Sequence, residues 1–382
     1  MIGRIYYKMK LRSSVLKNDY YFGVAKFIEK YPDAIILIFI GGRNTGKTYS
    51  SLVYVLIQDM KFVFVKRTIE DVKILCAGNG KVSSKARQYA ADLSPFVAIN
   101  RDHGTNIKAF EIIPGLGGFY PCDADGVPVG DPIGYIVALS AVAKIKGFDL
   151  SVADIIIFDE FIPEVWERIN RREGDQLMQL YKTVSRDREH RGRPPLKMLL
   201  LANAEMISNP VFNTLELTDI VTDMQLQGKH EYYNAERGIV VVRVQTSKEF
   251  QDLESRSKIY AAMDGTQWAK MALNNDFGYD DFTAVRHIDM RKYSLFAVFR
   301  HKNRNYYIYN NGERWYITSK RNGKCAIREF YDLNRQTEAE RFYYDVVMLL
   351  RSASIDGRVL FERYSLYDII MYYKKHYRIG DN

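Results

Sequence analysis

Cysteine is scarce: Cys76, Cys122 and Cys325 are the only three in 382 residues, with no C-x-x-C pair and no histidine set beside them. That scarcity excludes a disulfide scaffold and a zinc knuckle, and fits a reducing compartment. Also missing is any run of the roughly 18–20 uncharged apolar residues that a membrane helix needs, so no membrane partner is expected. The opening, Met1-Ile2-Gly3-Arg4-Ile5-Tyr6-Tyr7-Lys8, has no apolar h-region, so no secretory leader is expected either. There is no internal repeat, no low-complexity tract, and no Ser/His/Asp or Cys/His set. Acidic charge is in deficit, 46 Asp and Glu against 55 Lys and Arg, a net charge of +9. Such a surface favours a polyanionic partner, nucleic acid foremost, with a merely basic soluble surface as the alternative.

What is present begins with an apolar run, residues 34–40, followed directly by Gly41-Gly42-Arg43-Asn44-Thr45-Gly46-Lys47-Thr48. This is G-x-x-x-x-G-K-T in the strand–loop–helix setting that a phosphate-binding P-loop requires. Glycines let consecutive N–H groups turn toward phosphate oxygens, and the helix that follows adds the positive end of its dipole. Lys47 is expected on the β- and γ-phosphates of ATP, and the Thr48 hydroxyl on Mg²⁺. A second apolar run, Asp154-Ile155-Ile156-Ile157-Phe158-Asp159-Glu160, ends in two carboxylates. It reads as a parallel strand buried on both faces, with its polar tip at the sheet edge where ligands bind. Asp159 is then the Mg²⁺ partner and Glu160 the group that polarises the attacking water.

Further apolar runs at 61–67, 134–140 and 196–204 alternate with helical patterns such as 175–184 and close in polar tips. The expected fold is α/β, a doubly wound P-loop NTPase domain of the ASCE type over residues 1–227. An opening helix capped by Asp19 stops before Pro32, and Gly- and Asp-rich turns over 76–130, notably Asp123-Ala124-Asp125-Gly126, suggest inserted hairpins. A charged tract over 228–278 reads as a linker or helical subdomain. Aromatic-rich strands near 294–300, 305–309 and 315–318, with helix-like 339–351 and 364–376, make a smaller α+β domain over 279–382.

Several single residues leave two readings open. Asn203, at a strand tip, suits either a hydrogen bond to the attacking water or γ-phosphate, or a plain turn. Arg186, Arg188, Arg191 and Arg193 form a cationic turn that suits an arginine finger or a DNA-contacting or solvated loop, with Arg186 nearest the helix end. Lys66, Arg67, Lys144 and Lys146 suit phosphate contact or simple surface charge. His190 has no partner histidine and reads as a loop residue.

The chain resembles the DNA-packaging ATPases of small tailed phages of the phi29 type, relatives of the large terminase subunits. The residues that carry this are 158–162 after the acidic strand, 183–189, Ala202-Asn203-Ala204 with Asn209-Pro210-Val211-Phe212, and Asp264-Gly265-Thr266-Gln267-Trp268 with Asn274-Asn275-Asp276-Phe277. The resemblance implies a homomeric ring, pentameric, that threads double-stranded DNA through the portal of a procapsid, with a packaging RNA as a further possible partner. It places the protein in the host bacterial cytoplasm, docked on the procapsid. It implies Arg186 as the finger acting on a neighbour's nucleotide, Lys146 as a second such cation, and Arg67 as a nucleotide sensor. It also implies a second domain shaped like a ribonuclease-H-type nuclease. Two-metal cutting needs carboxylates converging from central strands, and residues 294–300 and 305–309 carry none. The expectation is therefore a nuclease-like fold that has lost its active site. A terminase with a working nuclease, or a helicase-like ATPase, is the alternative.

Overall fold

The computed structural model describes residues 22–76 and 93–380, apart from 165, 168, 246–247, 249–251, 253–254, 264, 267–276, 278–279 and 324–326. The chain divides into two compact units. The first takes Met1–Arg168, Arg172–Met206 and Met224–Gly278; the second takes Ile169–Arg171, Ile207–Asp223 and Tyr279–Asn382.

In the first unit, helix α1 (Ala25–Lys30) leads to strand β1 (Ile36–Gly41), then α2 (Lys47–Ile57), β2 (Phe62–Lys66) and α3 (Ile69–Cys76). Helix α4 (Val97–His103) precedes the hairpin β3 (Ile107–Ile113) and β4 (Leu116–Pro121), then β5 (Gly134–Ala138) and the short α5 (Val142–Ile145). Next come β6 (Ile155–Asp159), α6 (Glu173–Ser185), β7 (Lys197–Asn203), β8 (Glu231–Asn234) and β9 (Ile239–Arg243). The nine strands stand in the order β3-β4-β5-β2-β6-β7-β1-β9-β8. The inner six, β5 through β9, are parallel throughout, and an antiparallel strand or hairpin closes each edge.

Strand register decides where the chemistry sits. Gly41 lies beside Asn203, and Asp159 beside Leu201, so the carboxyl ends of β1, β7 and β6 finish level with one another. Both faces of this sheet are covered. Leu37, Phe39, Ile157 and Leu201 pack with Leu52 and Leu56 of α2 and Val72 of α3. Their neighbours Ile38, Ile40, Ile156, Phe158 and Leu200 are equally buried. A strand buried on both sides needs apolar residues at every position, which is why these segments are continuous runs in the sequence.

Two expectations change here. The tract from Gly228, expected as a linker, instead supplies β8 and β9 to the large sheet. Residues 239–243 are fully buried, and β9 lies parallel against β1. Conversely, residues 207–223 group with the second unit, although the boundary was expected at 227. Helix α4 also had no counterpart among the expected elements. The Asp19 cap, Cys325, Asp264, Gln267, Trp268 and Asn274-Asn275-Asp276 lie outside the described residues.

The second unit contains α7 (Pro210–Leu215), capped by Asn209, whose side chain accepts from Phe212 N at 2.9 Å, with proline in the first turn. Its sheet is mixed. Strands β10 (Ser294–His301), β11 (Arg304–Asn310), β12 (Trp315–Thr318), β13 (Phe330–Asp332) and β14 (Val359–Phe361) stand in the order β13-β10-β11-β12-β14. The expected hairpin is the antiparallel β10–β11 pair, and β13 and β14 join the edges in parallel. Helices α8 (Gln336–Phe342), α9 (Met348–Ile355) and α10 (Tyr364–Met371) belong to the same unit. Phe342, Leu350 and Ile370 share its core with Phe299, Ile308 and Ile317.

Candidate nucleotide site

The turn after β1 is built from backbone that only special residues adopt. Asn44 and Gly46 stand at φ 61° and 85°, in the left-handed region. At Gly41 an added Cβ would lie 2.7 Å from the Cβ of Val244, so the loop leaves the sheet where no side chain fits. Within the turn the Thr45 hydroxyl donates to the Gly42 carbonyl at 3.1 Å, and Phe22 N donates to the Thr45 carbonyl at 3.0 Å. Helix α2 starts at Lys47 with Gly46 as its cap and no side-chain cap, which leaves its first N–H groups for an anion.

Lys47 is almost enclosed, with 8% of its surface exposed. Its ammonium donates to the carbonyls of Gly42 at 2.6 Å and Gly41 at 3.2 Å, and reaches Asn203 Oδ1 at 3.4 Å. Burial pulls its pKa down to about 8, against the opposing pull of Asp159 and Glu160. A desolvated cation with neutral oxygens as its nearest partners is a site prepared for negative charge.

The acidic strand meets this turn directly. The Thr48 hydroxyl donates to Asp159 Oδ1 at 2.7 Å, across 111 residues of chain. Lys66, at the tip of β2, donates to Asp159 Oδ2 at 3.1 Å and stands 3.5 Å from Glu160 Oε2. Burial works against the Lys66 ammonium, but the two carboxylates prevail and hold its pKa above the ordinary lysine value. Glu160 has a left-handed backbone, φ 59°, and a side chain that is 65% exposed. For a non-glycine residue that conformation costs about 1–2 kcal/mol, and its concentration at functional positions is well known.

Together these groups line a cleft of about 730 Å³. Arg43, Asn44, Thr45, Gly46, Lys47, Thr48, Asp159, Glu160 and Asn203 all face it, while Gly41 and Gly42 supply the carbonyls that hold Lys47. Arg43 is further tied to Glu164 by a short ion pair and stands 3.6 Å from Glu205. Six lining residues are not among the candidates read from the sequence: Tyr49, Leu201 and Ala202, and Ala98, Arg101 and Asp102 of α4. Position 49 follows the motif and was open to notice. Helix α4 is too short to show a helical period.

Arg67, Lys146 and Arg186 do not line the cleft. Arg67 donates to both oxygens of buried Glu173 at 3.1 Å, to Glu167 at 3.0 Å, and to the carbonyls of Glu160 at 3.0 Å and Phe161 at 3.1 Å. It therefore braces the turn that presents Glu160. Lys146 is exposed just after α5. Arg186, with φ 42°, donates to the Phe148 carbonyl at 3.0 Å and stands 3.4 Å from Asp149, two and three residues beyond Lys146.

The other arginines of that turn separate cleanly. Arg188 is buried and donates to Asp154 at 2.6 Å and to the Ala153 carbonyl. Arg193 joins it on Asp154 at 3.1 Å. Both fasten the start of β6. Arg191 makes a local pair with Asp187 at 2.7 Å.

Residues 129–359, more than half of the chain, match the family of podovirus DNA encapsidation proteins, Gp16. The DNA packaging protein of Bacillus phage B103 is 28% identical over 274 residues, 70% of this chain and 71% of that protein. Among solved structures, the Phi-28 gp11 DNA packaging motor covers 96% of this chain and all of its own at 14% identity and TM-score 0.58. The bacteriophage Phi-29 viral genome packaging motor assembly covers 94% of this chain and all of its own, at 16% identity and TM-score 0.58. At those identities the structural likeness speaks for the fold. The family match speaks for kinship, and the chain belongs to the podovirus DNA encapsidation proteins, the DNA-packaging motor proteins of phi29-like phages.

Proposed function

We propose that this protein hydrolyses Mg-ATP in the cleft beside Lys47 and uses the reaction to drive double-stranded DNA into a procapsid, working as a homomeric ring docked at the portal. The observation that carries the reading is the 2.7 Å hydrogen bond between Thr48 and Asp159. It joins the two segments that a P-loop ATPase must bring together, with a strand bearing Asn203 between them in the sheet. On this reading the first unit is a doubly wound, ASCE-type P-loop domain.

The residues fit the nucleotide and its metal. Lys47 and the N–H groups at the start of α2 would hold the β- and γ-phosphates, and Thr48 and Asp159 would hold magnesium. Magnesium, when bound, neutralises charge on the phosphate oxygens. Glu160 orients and polarises the attacking water. Lys66 fixes both carboxylates, and Arg67 is a positioning residue acting through the Glu160 turn. Asn203 meets the γ-phosphate end and responds to its loss. Arg186 and Lys146, which do not line their own cleft, serve the site of a neighbouring subunit. In the second unit, Asp280 accepts from Tyr364 and from Ile207 N at 2.8 Å, and Asp368 from Ser208 and His376. Carboxylates already engaged in this way favour a nuclease-like fold without cutting chemistry, used for contact with nucleic acid or portal.

Replacing Glu160 with Gln is the direct test. ATP binding should stay near wild type while turnover, measured with DNA and procapsids present, falls roughly a hundredfold or more. Full turnover by the variant would overturn the assignment of Glu160.

A further inference from the structure

The far end of the cleft, beyond Thr48, has a polar arrangement that the phosphate chemistry does not use. Tyr49 directs its phenol at α4, where its hydroxyl lies 3.2 Å from Asp102 Oδ2 and 2.9 Å from His103 Nε2. Arg101 donates to the other carboxylate oxygen, Asp102 Oδ1, at 2.9 Å. Asp102 thus stands with one partner on each oxygen while still lining the cleft. A carboxylate offers about four acceptor sites. Two are taken by Arg101 and Tyr49, and the rest are available to donors entering from the cleft.

Position along the nucleotide identifies those donors. Lys47 and Thr48 belong to the β/γ end, and Tyr49 is the next residue along α2. A group beside Tyr49 therefore meets whatever is attached to the α-phosphate, which is the sugar. A ribose presents two adjacent hydroxyl donors, and a carboxylate is the side chain that takes both. We propose that Asp102, steered by Arg101 and Tyr49, accepts hydrogen bonds from the ribose hydroxyls, so that the cleft prefers ribonucleoside triphosphates to their deoxy forms. The inference rests on the nucleotide reading of the cleft. The hydrogen bond from Arg101 also holds the Asp102 carboxyl below the ordinary carboxylate range, which keeps it an acceptor at neutral pH.

The test is calorimetric titration of the full chain, with Mg²⁺ present, using ATP, 2′-deoxy-ATP, 2′,3′-dideoxy-ATP and GTP. Wild type should bind the dideoxy form about tenfold or more weakly than ATP, the range expected for hydrogen bonds to a charged acceptor. Asp102→Ala should bind both equally, at the wild-type dideoxy affinity, and Tyr49→Phe should narrow the preference. The dideoxy affinity is the internal control for folding. If Asp102→Ala loses it, the isosteric Asp102→Asn takes its place and should show a reduced preference. Equal wild-type binding of ATP and its dideoxy form would overturn the proposal, as would a preference that survives in Asp102→Ala. So would a variant that loses discrimination between ATP and GTP while keeping it for the sugar. Failure of wild type to bind any triphosphate, indistinguishable from Lys47→Ala, would sink the nucleotide reading itself and this inference with it.

Discussion

At the scale of single residues, the site is governed by what burial does to charge. Lys47 has a pKa of about 8 in the ligand-free protein, whereas in an unfolded chain lysine holds its proton to about 10.4. Between those values the unfolded state binds more protons, so stability must rise with pH across that window. Nucleotide affinity must move the other way, because a neutral amine has to take up a proton to meet phosphate. Urea midpoints of wild type and Lys47→Met, compared at neutral pH and near pH 10, check the first statement. The variant should be the more stable at neutral pH, and its advantage should shrink as pH rises. Parallel profiles would show that enclosing the ammonium has no such cost. Glu160 shows the complementary rule. Its left-handed backbone and exposed side chain are braced by Lys66 and by Arg67, so its position is imposed by neighbours and not by local preference.

At the scale of elements, legibility in the sequence followed exposure. Strands β1, β6 and β7 were evident because sheets covered on both faces demand unbroken apolar runs. Their polar tips share one sheet edge, which is why Lys47, Thr48, Asp159, Glu160 and, with a plain turn as its alternative, Asn203 are candidates from the sequence alone. Strand β9 carries the same signature in Ile239-Val240-Val241-Val242 but sits inside a charged tract, which masked it. Helix α4 was invisible for a different reason. Seven residues show no period, and Arg101 and Asp102 resemble ordinary surface charge until the fold sets them beside Tyr49. The roles of Arg67 and Arg188 were likewise closed to sequence, since Glu173 and Asp154 become their partners only through tertiary packing. Strand β9 yields a prediction of its own. A fragment ending at residue 227 leaves β1 with a bare, flat, apolar edge, the kind that recruits other strands. It should aggregate and fail to bind ATP, whereas one ending at residue 245 should bind it, as read by size-exclusion chromatography and nucleotide titration. Equal behaviour of the two fragments would mean that β9 contributes nothing to the site.

At the scale of the whole molecule, Arg186 does not line its own cleft, and on the proposed reading it serves a neighbouring subunit's. Glu160→Gln and Arg186→Ala should each be nearly inactive alone in procapsid-supported hydrolysis, an arginine finger being worth roughly 10³–10⁵ in rate. Mixing the two should restore part of the activity, since an Arg186→Ala subunit keeps its glutamate and can borrow the arginine of a Glu160→Gln neighbour. A mixture no better than either component would place the arginine's action within its own chain. DNA-stimulated turnover should also fall steeply with salt, the mark of grip on phosphates.

The interleaved course of the chain has one more consequence, felt on the ribosome. Residues 207–223 emerge long before residues 280 and 368, to which Ile207 and Ser208 are hydrogen-bonded in the finished protein. Meanwhile residues 231–243 must still reach back to complete the nine-stranded sheet. During synthesis the Ile207 amide and the Ser208 hydroxyl are therefore made well before the carboxylates that receive them, so this clasp of the second unit can close only once almost the whole chain has been translated.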